Sequence, residues 1–452
     1  MTAPLTFVRD GHAVSTQTQT YAYVPFDVPQ GIGQIDVRYE YSDEVGSDPQ
    51  LIDGNTVDIG IFDARGIQFM TEGFRGWSGS ARHSFTIAAD EATPGYSAGP
   101  IQAGRWHICL GLYKIAPQGC DYHVEITLTP GTTIGQFEPL LPLRSTPGKV
   151  KPDGWYCGEL HNHTYHSDGD SDPLDVVRTA ESLGLDFLAI TDHNVRSHLA
   201  RLNALETPLI LIPGFEVTTY KGHWNIWGDQ GWIDFRVEDE EHMAQSVAEA
   251  RRRGYVASLN HPRPYGPEWT YTHVDSFDCI EVWNGPWLLM NEVALEFWES
   301  RLRAGKRYTA VGGSDNHFLK QSHIAHLGVP TLWIYCSGEP SAAKLLTAIR
   351  AGHVMISDNP RGPRLTLNAG DAMMGDLLLR PENDRLIVTI EISGGTGCTL
   401  ELYTAAGCVE RQPIPEDHFH LEVEIAIDTY LRAQLVGNND QIRALTNPIY
   451  VQ

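Results

Sequence analysis

Between residues 158 and 317, short apolar runs end again and again in histidine or an acidic residue. The instances are Gly158-Glu-Leu-His-Asn-His-Thr-Tyr-His-Ser-Asp-Gly169, Ile190-Thr-Asp-His193, Gly214-Phe-Glu216, Gly222-His223, Leu259-Asn-His261-Pro262 and Gly313-Ser-Asp-Asn-His317. Side chains alternate in direction along a strand, so His161 and His163 project the same way and can grip one ion together, with Asn162 facing elsewhere. A lone His-x-His says little. Five further ligand-bearing strand ends in one stretch point to a polynuclear metal hydrolase. Imidazole with carboxylate suits Zn, Mn or Fe, and a set without thiolates is unlike a structural zinc cage.

The rhythm around these motifs is apolar strand, loop, helix. Asp172-Pro173 predicts a helix start with a carboxylate cap, Leu174, Val177, Ala180 and Leu183 its apolar face, and Gly184 its stop. Further helices are expected near 239–253, 288–304 and 341–350, alternating with strands at 187–191, 209–212, 255–259, 280–283 and 309–312. Such alternation predicts a parallel sheet or βα barrel, with each ligand just after a strand, where βα barrels place their chemistry.

The flanks read differently. From about residue 18 to 130, segments such as Ile35–Tyr41, Val57–Phe62 and Tyr122–Leu128 alternate with period two between Gly, Pro and Asp clusters, which predicts an antiparallel β-sandwich over 1–145. Residues 139–152 are rich in proline and suit a linker. Alternation returns in Leu386–Ile392 and His420–Ala426, predicting a small β domain over 359–452. The central unit is then 146–358, and 452 residues are enough for several cores.

Net charge is −24, which disfavours a nucleic-acid partner, and no apolar run is long enough to span a bilayer, so no membrane partner is expected. The seven cysteines form no CxxC pair, and the first residues lack a secretory pattern. Both features predict reduced thiols in the cytoplasm.

In type and order, the motifs His161-x-His163-Thr, Ile-Thr-Asp-His193, Gly-Phe-Glu216, Asn-His261-Pro and Gly-Ser-Asp315-x-His317 resemble those of the polymerase and histidinol phosphatase (PHP) superfamily, over roughly 153–360. With Glu281-Val-Trp-Asn284 and a trailing β domain, the chain looks most like the CehA/McbA-type branch. The resemblance implies a distorted (β/α)7 barrel holding two or three divalent ions and no organic cofactor. It implies a first ion on His161, His163, Glu216 and Asp315, a second on Glu216, His223 and His261, and a third on His193, His317 and a ligand from the opening motif. Asp168 is the choice for that ligand and His166 the alternative; His223 is preferred to His242. Glu216 and Asp315 are then also catalytic.

The activity implied is hydrolysis of a small phosphomonoester or phosphodiester by a metal-bound hydroxide. Arg196, Lys221 and Arg263 are candidate phosphate contacts, and His198 a candidate proton donor to the leaving oxygen. Each of the four has the ordinary alternative of a surface or structural group. Asp192 reads as an orienting group, Glu281 as either a site residue or an ion-pair partner, and His323, His326 and His353 as structural. Tryptophans 224, 227, 232, 269, 283 and 287 serve either as an aromatic wall or as core. The chemical rival is a carboxylic or carbamate ester as substrate. The rival of another class is an inactive carbohydrate- or partner-binding scaffold.

Overall fold

The computed structural model describes residues 3–48, 50–131, 142–144, 147–321 and 324–452. Residues 139–141, 145 and 146 of the expected linker, and His323, lie outside them. The N-terminal segment forms two four-stranded antiparallel sheets. One runs Leu5–Ala13, Cys120–Pro130, Ile32–Tyr41, Ser84–Ala88; the other runs Thr20–Val28, Gly104–Lys114, Thr56–Phe62, Phe74–Gly79. They share a core that includes Ile35, Val37, Ile59, Ile61, Ile108, Leu110, Val124 and Ile126.

The first sheet is polar outward, as Asp36, Arg38 and Glu40 alternate with buried Ile35, Val37 and Tyr39. In the second, every residue of the strand Thr56–Phe62 is buried. The outer side of that sheet docks on the central segment, where Phe74 stacks on Trp232 (centroids 4.2 Å apart) and Trp77 meets Phe235 (4.7 Å).

The centre is not the (β/α)7 barrel that the motifs implied. Its strands divide between two sheets, and the described residues hold five α-helices: α1 (Pro173–Leu183), α2 (His198–Asn203), α3 (Glu240–Arg252), α4 (Asn291–Arg303) and α5 (Ala342–Ala351). In one sheet, Ile210–Leu211, Phe187–Leu188 and Trp155–Glu159 pair in parallel. Trp155–Glu159 then pairs antiparallel with Thr331–Tyr335, and the sheet continues through Val354–Ser357 into C-terminal strands 442–446, 430–436, 399–404 and 407–413. The other sheet runs Gly214–Thr219, Gly222–Trp227, Val256–Leu259, Cys279–Asn284, Thr309–Gly313.

The physical reason is local. A two-residue connection can only join antiparallel strands, whereas a parallel pair needs a crossover, and Tyr220-Lys221 is such a connection between the first two strands of the second sheet. Single bridges, Asn162 to Asn316 and His193 to Glu216, link the ends of strands from the two central sheets, and the metal-type residues gather at those bridges.

Where local chemistry decides, expectation and structure agree closely. Helix α1 starts with the Asp172 carboxylate accepting from Leu174 N–H (2.7 Å) and stops at Gly184 with φ +76°. Helix α3 is capped by Asp239 and α5 by Ser341, with Gly352 left-handed at its end. Strands 364–369, 372–373, 385–393 and 418–426 form a last sheet over a core with Leu365, Val388, Ile390, Leu402 and Leu435. All seven cysteines are free, six of them buried. Among the described residues no helix is long and apolar enough to cross a membrane.

Candidate metal centre

Four loops and a hairpin deliver the cluster. His161 and His163 follow strand Trp155–Glu159, whereas Glu216 and His223 sit within the two strands of the hairpin instead of after a strand. His193, His261, Asp315 and His317 lie in loops beyond strand ends. His261 (φ +30°) and Asp315 (φ +50°) hold left-handed backbone that non-glycine residues seldom adopt.

Nine side chains fall into four overlapping groups, each with its donor atoms within 4.8 Å of one another. These are His163, Asp168, His193 and His317; His161, His163 and Asp315; His161, Glu216 and His261; and His193, Glu216 and His223. The grouping differs from the one implied by resemblance: Glu216 is not grouped with His163 and Asp315, and His161 and His193 each join a Glu216 group. His163 faces the Asp168 set as well, and His261 and His223 approach Glu216 from separate groups.

The donor atoms are spaced for ions. His161 Nε2 lies 3.4 Å from Glu216 Oε1 and 3.3 Å from Asp315 Oδ1, His163 Nε2 3.1 Å from Asp315 Oδ1, and His317 Nε2 3.4 Å from Asp168 Oδ1. Ligands arranged tetrahedrally around an ion at 2.0–2.1 Å stand about 3.3 Å apart. Among the described residues, the buried atoms His161 Nε2, both ring nitrogens of His163 and His261 Nδ1 have no hydrogen-bond partner. Unpartnered buried polar atoms of this number are costly in a protein interior unless a cation takes the lone pairs among them. The residues present fit divalent ions of nitrogen and oxygen preference.

Neighbours fix the direction of those lone pairs. His161 Nδ1 lies 2.8 Å from Glu281 Oε1, which keeps the proton there and turns Nε2 inward. The other Glu281 oxygen accepts from His261 N–H (3.1 Å) and Asn284 Nδ2 (3.0 Å). Asn260 Nδ2 donates to Glu216 Oε1 at 2.7 Å. Asp192 is not in any of the four groups. Its carboxylate accepts from Thr164 N–H and Oγ1 and from Ser167 Oγ, each at 2.7 Å, tying down the loop that carries His163 and Asp168. Arg82, from the N-terminal sheets, donates to the carbonyls of Ser167 and Tyr165 in the same loop.

Burial pushes His163 down, and His317 and His193 add to this, to about 4. Burial opposes charge on Glu216 and Asp315 as well, yet the surrounding imidazoles, His161 first, hold both carboxyls well below their ordinary range. Burial also lowers His161, but Glu281, Asp315 and Glu216 outweigh it and lift the group well above its usual value. Ionised carboxylates beside a neutral His163 are the protonation forms that ligate metals.

The cluster floors a cavity of about 770 Å³, lined by seven of the nine residues, with His161 and His163 beneath them. Its opposite wall comes from the N-terminal sheets through Tyr41, Asp58, Trp77 and Tyr113.

The remaining predicted residues distribute unevenly. Arg263 lines the cavity, but its guanidinium donates to Asn284 O, Asn284 Oδ1 and Asn291 Oδ1. Arg196 is paired with Asp229 away from the cavity. Lys221 lines a second cavity, of about 590 Å³. His198 is fully buried with Nδ1 3.2 Å from Asp192 and does not reach the cavity. His166 is held by Ser197 Oγ (2.8 Å) outside the cluster, and His242 stacks on Phe69. Of the tryptophans that the motifs flanked, 224, 227 and 283 are core; Trp77 lines the cavity instead.

Sequence reasoning passed over Glu159. Its carboxylate accepts from the N–H of His161 (2.9 Å), Ser314 (3.1 Å) and Gly328 (2.9 Å), joining the loops that carry His161 and Asp315. The signal was present: the alternation that aligns His161 with His163 also aligns Glu159.

Residues 159–254 match the family model described as the PHP domain, which covers the motifs from His161 to His223 but not His261, Asp315 or His317. No curated protein matches the chain. Among solved structures, the chain is similar to a two-domain protein from Bacteroides vulgatus titled as containing a predicted PHP-like metal-dependent phosphoesterase (19% identity, 68% of this chain and 99% of that one, TM-score 0.40). It is also similar to an amidohydrolase from Chromobacterium violaceum (16% identity, 37% of this chain and 91% of that one, TM-score 0.26).

Proposed function

We propose that this chain is a metal-dependent hydrolase of small phosphate monoesters or diesters. The observation that carries the proposal is the convergence of nine imidazoles and carboxylates, with orphaned lone pairs, at the floor of one cavity. The PHP-domain match over the first motifs supports the same reading.

His161, His163, Glu216 and Asp315, then His223 and His261, then His193, His317 and Asp168 are the residues that would hold the ions. Divalent ions in such a set supply Lewis-acid charge that acidifies water and polarises the ester. The protein's own contribution is preorganisation. Glu281 holds the His161 proton on Nδ1, Asn260 holds Glu216, and Asp192 with Arg82 fixes the loop of Asp168, so little rearrangement remains when substrate arrives. The ester enters with its reacting end towards the cluster, and the leaving group lies against the N-terminal wall. Arg263, with both terminal nitrogens donating to Asn284 and Asn291, shapes that space.

Metal analysis of the purified protein, then turnover of p-nitrophenyl phosphate, bis-p-nitrophenyl phosphate and an aryl carbamate with Mn, Zn and Fe, tests this. His161→Ala and Asp315→Ala are expected to abolish phosphate turnover and bound metal while the circular dichroism spectrum persists. Less than one ion per chain at neutral pH, or phosphatase activity surviving in both variants, overturns the proposal. Turnover of the carbamate alone moves the reading to carbonyl chemistry.

A further inference from the structure

The cavity wall opposite the cluster has a character of its own. Glu44, Asp48 and Asp58 line it, and the one arginine among its described lining residues, Arg263, has its guanidinium engaged. A ligand portion carrying a second negative charge would be repelled there. Aromatic faces from Tyr41, Trp77 and Tyr113 supply flat apolar surface.

Within this wall two polar atoms stand ready. Asp58 is 8% exposed; its Oδ2 accepts from the Tyr220 hydroxyl (2.8 Å), and its Oδ1 has no hydrogen bond among the described residues. Trp77 is 5% exposed, and its Nε1–H is likewise without an acceptor among them. Both atoms border the empty space over Gly79, where a Cβ would lie 3.7 Å from Trp77 Nε1 and 3.8 Å from Asp58 Oδ1. Gly111 permits the arrangement, since a Cβ there would lie 2.0 Å from the Tyr220 hydroxyl oxygen. Burial pushes the Asp58 carboxyl up to about 7, so above that pH its Oδ1 accepts, and one donor beside one acceptor selects a group that is itself both. A hydroxyl meets that condition, whereas an ammonium offers no acceptor and a carboxylate no donor.

We propose that this wall binds a polyhydroxylated leaving group, one hydroxyl accepting from Trp77 Nε1 and donating to Asp58 Oδ1, so that the substrate is a sugar or polyol phosphate. The phosphate end of this inference rests on the function proposed above; the hydroxyl end does not. Asp58→Asn keeps the shape and, with Tyr220 donating to the amide oxygen, turns an N–H₂ group towards the space. Trp77→Phe removes the donor and keeps a ring.

Saturation-transfer NMR with methyl α-glucopyranoside and the purified full chain reads binding without turnover. Transfer to the ring protons is expected in the wild type and its loss in both variants. With metal-reconstituted protein, kcat/KM for glucose 1-phosphate should exceed that for cyclohexyl phosphate by about tenfold or more, and the ratio should fall towards unity in Asp58→Asn. Equal hydrolysis of both phosphates with no transfer in the wild type overturns the inference and leaves the phosphoesterase reading standing. Transfer that the variants abolish, with no ester hydrolysed, upholds the hydroxyl site and overturns the phosphoesterase reading. Undiminished transfer in both variants shows that Asp58 and Trp77 are not the contacts.

Discussion

Replacing Glu281 with glutamine tests whether the cluster depends on groups one step removed from its donor atoms. Glu281 is 2% exposed and accepts three hydrogen bonds, from His161 Nδ1, His261 N–H and Asn284 Nδ2. Glutamine fills the same volume but must point its N–H₂ group one way or the other. Pointed at His261 and Asn284, it sets donors against donors and leaves buried N–H groups without acceptors, costing about 1–3 kcal/mol. Pointed at His161, it donates to Nδ1, drives the ring proton onto Nε2 and removes the lone pair that faces Glu216 and Asp315.

Either outcome falls on the metal-competent state, so affinity for the ion should drop by roughly 10- to 100-fold. Competition for Mn or Zn against a chromophoric chelator of known affinity measures this, with thermal unfolding run beside it to show that the chain is folded. An affinity within about twofold of the wild type, in a folded variant, refutes the reasoning.

Other expectations address the scaffold. Gly111→Ala should destabilise the chain by about 1–3 kcal/mol in urea unfolding, because its Cβ meets the Tyr220 hydroxyl at 2.0 Å and Trp77 at 2.8 Å; unchanged stability would mean that the N-terminal sheets do not dock as described. On α3, hydrogen bonds from Arg252, then Arg253, hold the Glu249 carboxyl down at about 2. A depressed carboxyl stabilises fully above its unfolded value near 4.3 and loses that contribution as pH falls towards 2. Glu249→Gln should therefore cost about 0.5–1 kcal/mol at pH 7 and progressively less below about pH 4; an equal difference at pH 7 and pH 3 contradicts the assignment.

The sequence by itself determined what is decided within a turn or a strand. Asp172, Pro173 and Gly184 bound α1 because capping and left-handed backbone depend on neighbouring residues only. The facing of His161 and His163 follows from the period of a strand, and five separated motifs announced that imidazoles and carboxylates would be gathered. Beyond the Tyr220-Lys221 turn, tertiary structure decided which strands pair, and so replaced a barrel with two sheets bridged at Asn162 and His193, because most hydrogen bonds between these strands join residues that no local pattern relates. It also turned Glu281 onto His161, set Arg263 against Asn284 and His198 against Asp192, and brought Asp58 and Trp77 from far upstream to the cavity. A side chain's chemistry is set by what surrounds it, and for buried polar groups those surroundings come almost entirely from distant parts of the chain.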